Sequence, residues 1–320
     1  MGDTREHALT GTRGTLAVRE WPHPRPRRIV LLVHGYGEHA GRYDEVAGVL
    51  RAHGAAVYAP DHLGHGRSAG ERVVVEDFED VVSDVHTVAG LARAAHPGLP
   101  LVVAGHSMGG LIAARFAQRH RDEAAALVLS GPVIGAWELP GRLLALDEIP
   151  GTPVSPAALS RDPSVGAAYA ADPLVWHGPM KRPTLEAFAR TLRAVDEGGD
   201  VGDLPVLWLH GEDDRLVPLT GSRVGVARLT GGGEEATEGG EEATEGGQGT
   251  TGGGQKDAGA GRGDAGNGRG DAGGVPGRAG RRGGLTVRIY PGARHEVFLE
   301  TNRAEVFADV TAFLDRVLPG

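Results

Sequence analysis

The sequence predicts an α/β protein built on a mostly parallel sheet. Short apolar runs of strand length alternate along the chain with longer segments whose apolar residues recur at helical spacing. Glycine, proline and polar residues separate the two kinds of segment. With 320 residues and 40% hydrophobic content, the chain can bury the core of one large domain or two small ones. Repeated strand–helix–strand order is typical of a parallel sheet with helices on its faces.

The individual elements follow from their apolar patterns. The run IVLLV at 29–33 is continuous, as expected for a strand buried on both faces. The segment 77–96 repeats its apolar residues at helical spacing, and Pro60 ends the strand before it. In chain order the predicted strands are 29–33, 56–59, 101–104, 127–129, 206–209 and 285–290, and the predicted helices are 42–53, 77–96, 109–120 and 302–318.

Residues 132–200 interrupt this alternation. They contain short helical segments and several prolines but no convincing strand. An excursion of this size between two core strands indicates a helical cap over one end of the sheet. We therefore assign 1–131, 201–230 and 285–320 to the core and 132–200 to the cap.

Residues 231–284 form a glycine-rich insert. The insert opens with a duplicated GGEEATE and closes with GRGDAGN followed by GRGDAGG. It has no aromatic residues, so it cannot bury a core that offsets its ordering entropy, and we predict that it is disordered. Two Arg-Gly-Asp triplets, 262–264 and 269–271, are interpreted as products of repeat expansion rather than adhesion ligands.

The composition excludes several functional classes. The chain has no cysteine, which rules out disulfides, thiolate zinc sites and a cysteine nucleophile. Its formal net charge of −9 argues against a nucleic-acid partner. It contains no run of about 18 apolar residues that would suit a transmembrane helix. Its first residues lack the apolar core of a secretion signal, and Glu6 departs from the myristoylation pattern. We expect a cytoplasmic protein, with peripheral contact to a membrane left open.

Two segments match the G-x-S-x-G pattern of serine hydrolase nucleophiles: GRSAG around Ser68 and GHSMG around Ser107. Such a nucleophile needs a strand, one sharp turn at the serine and then a helix. Ser107 has this setting, because the predicted strand 101–104 precedes it and the predicted helix 109–120 follows it. No helical pattern follows Ser68 directly. We therefore predict Ser107 as the nucleophile and Ser68 as a loop residue.

A nucleophilic serine needs a general base that is oriented by an acid. In this arrangement the partners follow in the order Ser, Asp, His after later strands. His295 lies between the last predicted strand and the closing helix, and we predict it as the base. The acid is one of two neighbours in GEDDRLVP, Asp213 or Asp214. We favour Asp214 and assign Asp213 to a solvated turn or a helix cap.

The charge that develops on the substrate carbonyl needs two hydrogen-bond donors. One predicted donor is the backbone N–H of Met108, which begins the helix after the nucleophile and has no intrahelical partner. The other is the N–H of Tyr36, in the HGYG loop after the strand 29–33. A plain tight turn is the alternative interpretation of HGYG.

Several separated motifs support this interpretation by their order along the chain. They are HGYGEHAGRY, PDHLGHGRS, GHSMGG, SRDP with YAADPL, HGEDDRLVP and YPGARHEVFLE. Together they resemble the monoacylglycerol lipase and lysophospholipase-like branch of the α/β-hydrolases, over about residues 10–230 and 285–318. The resemblance implies the α/β-hydrolase fold, with an eight-stranded core and a small cap. The family's G-x-x-D pattern falls on Asp214, and the insert is a departure from the family.

The resemblance also implies a polar pocket for the glycerol part of a substrate, formed by Glu38, Arg42, His106 and Tyr169. A structural ion pair is the alternative for Glu38 and Arg42. The implied reaction converts a monoacylglycerol, or a related lipid ester, to an alcohol and a fatty acid through an acyl-enzyme. The family needs neither a metal nor an organic cofactor for it.

The apolar cluster at 134–149 in the cap has two interpretations. It borders the acyl channel and touches lipid surfaces, or it packs the cap onto the core. The alternative activities are those of a general carboxylesterase, a thioesterase or a lysophospholipase. A non-catalytic binding protein on the same scaffold is the alternative from another class. The sequence does not indicate the oligomeric state.

Overall fold

The computed structural model describes residues 4–151, 154–232 and 284–319, which form one eight-stranded sheet flanked by helices. The strands are β1 Arg5–Thr10, β2 Thr15–Trp21, β3 Arg28–Val33, β4 Ala55–Pro60, β5 Leu101–His106, β6 Ala126–Ser130, β7 Pro205–Gly211 and β8 Gly284–Tyr290. Their order across the sheet is β1-β2-β4-β3-β5-β6-β7-β8. β2 is antiparallel to β1 and to β4. The other neighbouring strands, from β4 through β3 and β5 to β8, pair in parallel. The predicted fold class is confirmed.

Helices cover both faces of the sheet. They are α1 Asp44–Ala52, α2 Phe78–Ala95, α3 Met108–Arg119, α4 Leu139–Leu144, α5 Pro156–Leu159, α6 Pro163–Ala171, α7 Arg182–Glu197, α8 Leu219–Leu229 and α9 Arg303–Val317. One buried apolar cluster joins the sheet to α1 and α9, and the other joins it to α2, α3, α7 and α8. Each of these six helices therefore buries its apolar side against the sheet, as the helical spacing of apolar residues predicts.

The strands predicted from continuous apolar runs are the ones buried on both faces. Every residue of β3, β4, β5, β6 and β7 is buried. The hairpin of β1 and β2 was not predicted from strand patterns. β1 reads REHALT and is largely exposed at the edge of the sheet, so it carries no long apolar run.

The strand order fixes where a ligand site can form. The chain passes from β3 to β4 on one side and then crosses back to β5 on the other side of β3. In open parallel sheets, ligands bind at such a switch point, outside the carboxyl ends of the strands. The loops after β3, β5, β7 and β8 all leave the sheet at this end.

The segment 132–200 contains α4 to α7 and, among its described residues, no strand. Its last helix, α7, belongs to the core layer: Phe188 is fully buried in the same cluster as α2 and α3. The assignment of 132–200 to a cap stays a prediction, as does that of the insert, of which 233–283 lies outside the described residues. In the parts of the chain that the structure describes, no helix has both the length and the apolar character to cross a bilayer.

Candidate active site

The turn between β5 and α3 places Ser107 in a strained conformation. Its φ is 55°, and among the described residues only Val73 is another non-glycine with positive φ. The flanking glycines allow other backbone segments to lie very close to this turn. A Cβ on Gly105 would lie 2.1 Å from the carbonyl oxygen of Gly109, and one on Gly109 would lie 1.9 Å from that of Val33. This strand–turn–helix geometry is typical of a nucleophile elbow.

Ser68 has a different environment. It lies in the loop between β4 and α2, where its hydroxyl donates to the carbonyl oxygen of Asp61 at 2.5 Å. The same hydroxyl accepts from the backbone N–H of Ala17 at 2.9 Å. The first bond closes the loop on itself and the second ties it to β2, so these contacts indicate a structural role for Ser68.

The loops after β7 and β8 bring Asp214 and His295 together. Nδ1 of His295 donates to Oδ2 of Asp214 at 2.7 Å, and both side chains are buried. The other carboxylate oxygen, Oδ1, accepts the backbone N–H groups of Leu216 and Val217 at 2.9 and 3.0 Å. Asp213, the alternative acid, is exposed to solvent. The geometry therefore favours Asp214 as the acid beside His295.

The two partners shift each other's pKa. Burial raises the pKa of Asp214, but the attraction of His295 and hydrogen bonds from His210 and His295 outweigh it and hold the pKa well below the usual range. Burial lowers the pKa of His295, but the charge and hydrogen bond of Asp214 raise it above the ordinary value. Asp214 is thus an anion that stabilises a positive charge on the imidazole.

His210, which we did not predict, is a second histidine beside the carboxylate of Asp214. The indole N–H of Trp208 donates to its Nδ1 at 3.2 Å, so the proton of a neutral His210 is on Nε2. That Nε2 donates to the carbonyl oxygen of Val217 at 2.9 Å and lies 3.4 Å from Oδ2 of Asp214. The only sequence signal for it is its place at the end of a buried strand.

Glu300 is a second unpredicted residue, and it fixes the loop that carries His295. Its fully buried carboxylate accepts the backbone N–H of Arg294 at 2.8 Å and that of Arg161 at 3.0 Å. The carboxylate also bonds Nε of Arg161 at 2.9 Å. These bonds tie the residue just before His295 to the SRDP segment.

The two residues predicted to supply oxyanion donors, Tyr36 and Met108, line the same pocket as Ser107. Met108 is the first residue of α3, so its N–H has no partner within the helix. Beside Tyr36, a Cβ on Gly35 would lie 3.3 Å from the Cβ of Ser107, which shows how closely this loop approaches the nucleophile.

The four residues predicted for the polar end, Glu38, Arg42, His106 and Tyr169, all line this pocket. Arg42 donates to Glu38 at 2.5 Å and forms two hydrogen bonds with Glu296, at 2.6 and 2.9 Å. Its guanidinium also lies 5.1 Å from the centre of the Tyr169 ring. Arg42 thus forms ion pairs with both carboxylates, which agrees with the alternative interpretation of Glu38 and Arg42 as a structural ion pair. Glu296 is a residue that sequence reasoning missed.

His106 is neutral at this end of the pocket. Burial, followed by repulsion from His295, lowers the pKa of His106 to about 3. Its Nδ1 lies 3.1 Å from the carbonyl oxygen of Ser130, and its ring centre is 4.7 Å from that of His295. The Nδ1–H donates to that carbonyl, so Nε2 is left as an acceptor.

The other end of the pocket is apolar. The space is about 670 Å³, including open solvent at its mouth. Its apolar lining includes Val133, Trp137, Leu139, Leu159, Met180 and Phe188. Within the predicted cap cluster 134–149, Trp137 and Leu139 contribute to this lining. Ile134 is instead fully buried in the core, and Leu146 is 43% exposed.

An elbow serine that lines the same pocket as a histidine paired with an aspartate, at this end of the sheet, is typical of serine-dependent carboxylic ester hydrolases with the α/β-hydrolase fold. The model of one family, serine aminopeptidase S33, matches residues 24–235. The chain therefore belongs to this family, and relatives that are monoacylglycerol lipases assign it to the monoacylglycerol lipase-like branch of the α/β-hydrolases.

Two relatives illustrate the similarity. The monoacylglycerol lipase of Mycolicibacterium smegmatis is 42% identical over 235 residues, which is 70% of this chain and 84% of the relative. The human monoglyceride lipase is 34% identical over 231 residues, 68% of this chain and 75% of the relative. A soluble variant of monoglyceride lipase from Saccharomyces cerevisiae has a TM-score of 0.71 at 19% identity, covering 99% of this chain and 96% of its own, and shares the fold.

Proposed function

We propose that the protein hydrolyses monoacylglycerols to glycerol and a free fatty acid. The observation that carries this proposal is the amphiphilic pocket around Ser107. One end presents the buried carboxylates of Glu38 and Glu296, and the other is walled by aliphatic and aromatic side chains. A monoacylglycerol has the same division, with hydroxyl groups on one side of its ester and a hydrocarbon chain on the other. The relatives named above support the same substrate.

The proposed reaction proceeds through an acyl-enzyme. Nε2 of His295 accepts the Ser107 proton while the hydroxyl oxygen attacks the ester carbonyl. The N–H groups of Tyr36 and Met108 stabilise the resulting oxyanion, each worth about 2.7–4 kcal/mol in the transition state. His295 then protonates the leaving glycerol, and the same groups activate water to release the fatty acid. Asp214 keeps the imidazole oriented and stabilises its charged form.

Charge at the polar end favours an uncharged glycerol over a phosphorylated headgroup. Burial raises the pKa of Glu38, but Arg42 and His106, with hydrogen bonds from Tyr43 and Gly35, bring it below the ordinary value. One arginine balances Glu38 and Glu296, so the ionised cluster carries a net negative charge. A phosphodiester at this end would meet like charge, which argues against a lysophospholipid substrate. In this proposal Arg42 positions the two carboxylates, which accept glycerol hydroxyls.

Contact with lipid surfaces is part of the same proposal. Val154 is 39% exposed and also lines the pocket, and Leu146 is 43% exposed in the segment after α4. Apolar side chains at a pocket mouth suit the transfer of a lipid from an interface. We place this activity in the cytoplasm, which is compatible with the absence of cysteine from the sequence.

Labelling with a fluorophosphonate probe and turnover of a substrate panel test the proposal. We expect Ser107→Ala to lose labelling and almost all activity, and Ser68→Ala, the matched control, to retain most of both. The panel contains monoacylglycerols, p-nitrophenyl esters, lysophosphatidylcholine and acyl thioesters. Equal labelling of wild type and Ser107→Ala would refute the nucleophile. Higher kcat/KM on lysophosphatidylcholine or thioesters than on monoacylglycerols would refute the substrate.

A further inference from the structure

A cluster of metal-binding side chains lies away from the pocket, where α2 meets the end of α3. His86 comes from α2, His120 caps the C-terminus of α3, and Glu123 follows in the next turn. Each offers one ligand atom, and these atoms lie within 4.8 Å of one another. All three side chains are partly exposed: 43% for His86, 17% for His120 and 30% for Glu123. An ion can therefore reach them from solvent.

The two imidazoles aim at one carboxylate oxygen. Nε2 of His86 lies 3.0 Å and Nδ1 of His120 lies 3.3 Å from Oε1 of Glu123. Zinc binds nitrogen and oxygen at about 2.0–2.2 Å, so neighbouring ligands around a tetrahedral ion are about 3.4 Å apart. From these distances we propose that His86, His120 and Glu123 bind a divalent transition-metal ion, with Zn²⁺ as the best match, and that water completes its coordination.

The surroundings orient the carboxylate and one of the rings. Arg93 donates from Nη1 to the other oxygen of Glu123 and from Nη2 to the Glu123 backbone carbonyl at 2.7 Å. This leaves Oε1 for the ion, in the way that outer groups orient metal ligands. The His120 ring packs 4.9 Å from the ring of Phe116, centre to centre.

One adjustment is needed for binding. The two imidazoles stack with centres 4.1 Å apart and an interplanar angle of 4°, so an ion between their nitrogens would lie outside both ring planes. His86 is the more exposed ring and can tilt toward the ion, whereas His120 is held by Phe116. The bound ion would join α2 to α3, whose twelve residues place Ser107 about 18 Å away. We therefore expect a stabilising ion rather than a catalytic one.

Thermal unfolding of the full chain without a histidine tag tests this site, using Zn²⁺ alone as the probe. At zinc about 100-fold above its dissociation constant we expect Tm to rise by about 5 °C, and EDTA to reverse the rise. His86→Ala should keep the metal-free Tm, because alanine favours a helix, and should lose the rise. His53→Ala removes an exposed histidine elsewhere in the protein and should retain the zinc-dependent rise in Tm.

Co²⁺ provides a second readout, since the visible absorption of a nitrogen-ligated tetrahedral ion should appear in wild type and His53→Ala only. Glu123→Gln should also lose both signals, although it weakens the pair with Arg93 as well. No rise in Tm with zinc would overturn the proposal. An equal rise in wild type and His86→Ala would overturn it too, because the ion would then bind elsewhere. Neither result bears on the proposed hydrolysis, which is measured separately.

Discussion

Replacing Asp214 by asparagine tests the proposed mechanism with little change in volume. Oδ1 of Asp214 accepts two backbone N–H groups, from Leu216 and Val217. Only an oxygen can accept them, so the asparagine carbonyl must take this position and its NH₂ group must face Nδ1 of His295, where Oδ2 now lies at 2.7 Å. The amide then donates to Nδ1, which places the imidazole proton on Nε2. A protonated Nε2 cannot accept the proton of Ser107.

The size of the effect follows from this tautomer. The same exchange in a Ser-His-Asp triad lowers kcat about 10⁴-fold, which corresponds to about 5.4 kcal/mol. The new NH₂ group would also face Nε2–H of His210, now 3.4 Å from Oδ2, so we expect a lower Tm as well. Kcat is therefore measured below the unfolding transition, with circular dichroism to confirm the folded fraction.

Asp213→Asn is the matched control for Asp214→Asn. Asp213 is the neighbouring residue and exposed, so the same chemical change there should leave kcat and Tm nearly unaltered. If Asp214→Asn retained more than about a tenth of the wild-type kcat, the proposed role of its carboxylate would be wrong. A comparable loss in Asp213→Asn would show that the acid is misassigned.

Gly109→Ala should fail to fold or lose several degrees of Tm, because its Cβ would lie 1.9 Å from the Val33 carbonyl oxygen; a soluble variant with wild-type Tm would contradict the elbow geometry. Since the base must be neutral and the pKa of His295 is raised, kcat/KM should fall as pH decreases through a midpoint above about 6.5, and a pH-rate profile that stays flat there would exclude His295 as the base. Trp137→Ser should lower kcat/KM for long acyl chains more than for short ones, because the indole lines the pocket. Leu143 is half-buried and does not line the pocket, so Leu143→Ser is the control. If Leu143→Ser had the same effect in a series of chain lengths, the assignment of Trp137 to the acyl channel would be refuted.

The sequence was sufficient where a local pattern has one physical meaning. Strands buried on both faces need continuous apolar runs, and these predicted β3 to β7, whereas an alternating pattern predicted the largely exposed β8. The elbow needs a strand, a glycine-flanked serine and a helix, which separated Ser107 from Ser68. Neighbouring acids could not be separated in the same way. Asp213 and Asp214 differ by the direction of one turn, which depends on the packing of the loop after β7 against His295.

The partners that sequence reasoning missed are joined by long-range packing. Glu296 meets Arg42 across 254 positions of the chain, and no spacing rule connects them. His210 lies on a buried strand, where an isolated histidine carries no sign of its role. For a related reason, the residues of the apolar cluster at 134–149 do not all line the pocket. Composition cannot tell which of its residues turn inward: Ile134 enters the core while Leu146 faces solvent.

The G-x-S-x-G segment around Ser68 belongs to a loop that supports the proposed oxyanion hole. The backbone N–H of His62 in this loop donates to Nε2 of His34 at 3.0 Å, so a neutral His34 carries its proton on Nδ1. That Nδ1 donates to the carbonyl oxygen of Gly35 at 2.8 Å. In a trans peptide the N–H points opposite to the carbonyl, so holding the Gly35 carbonyl also fixes the direction of the Tyr36 N–H. Ser68 anchors the same loop to β2 through its hydroxyl, so we assign that hydroxyl a structural role and not a nucleophilic one.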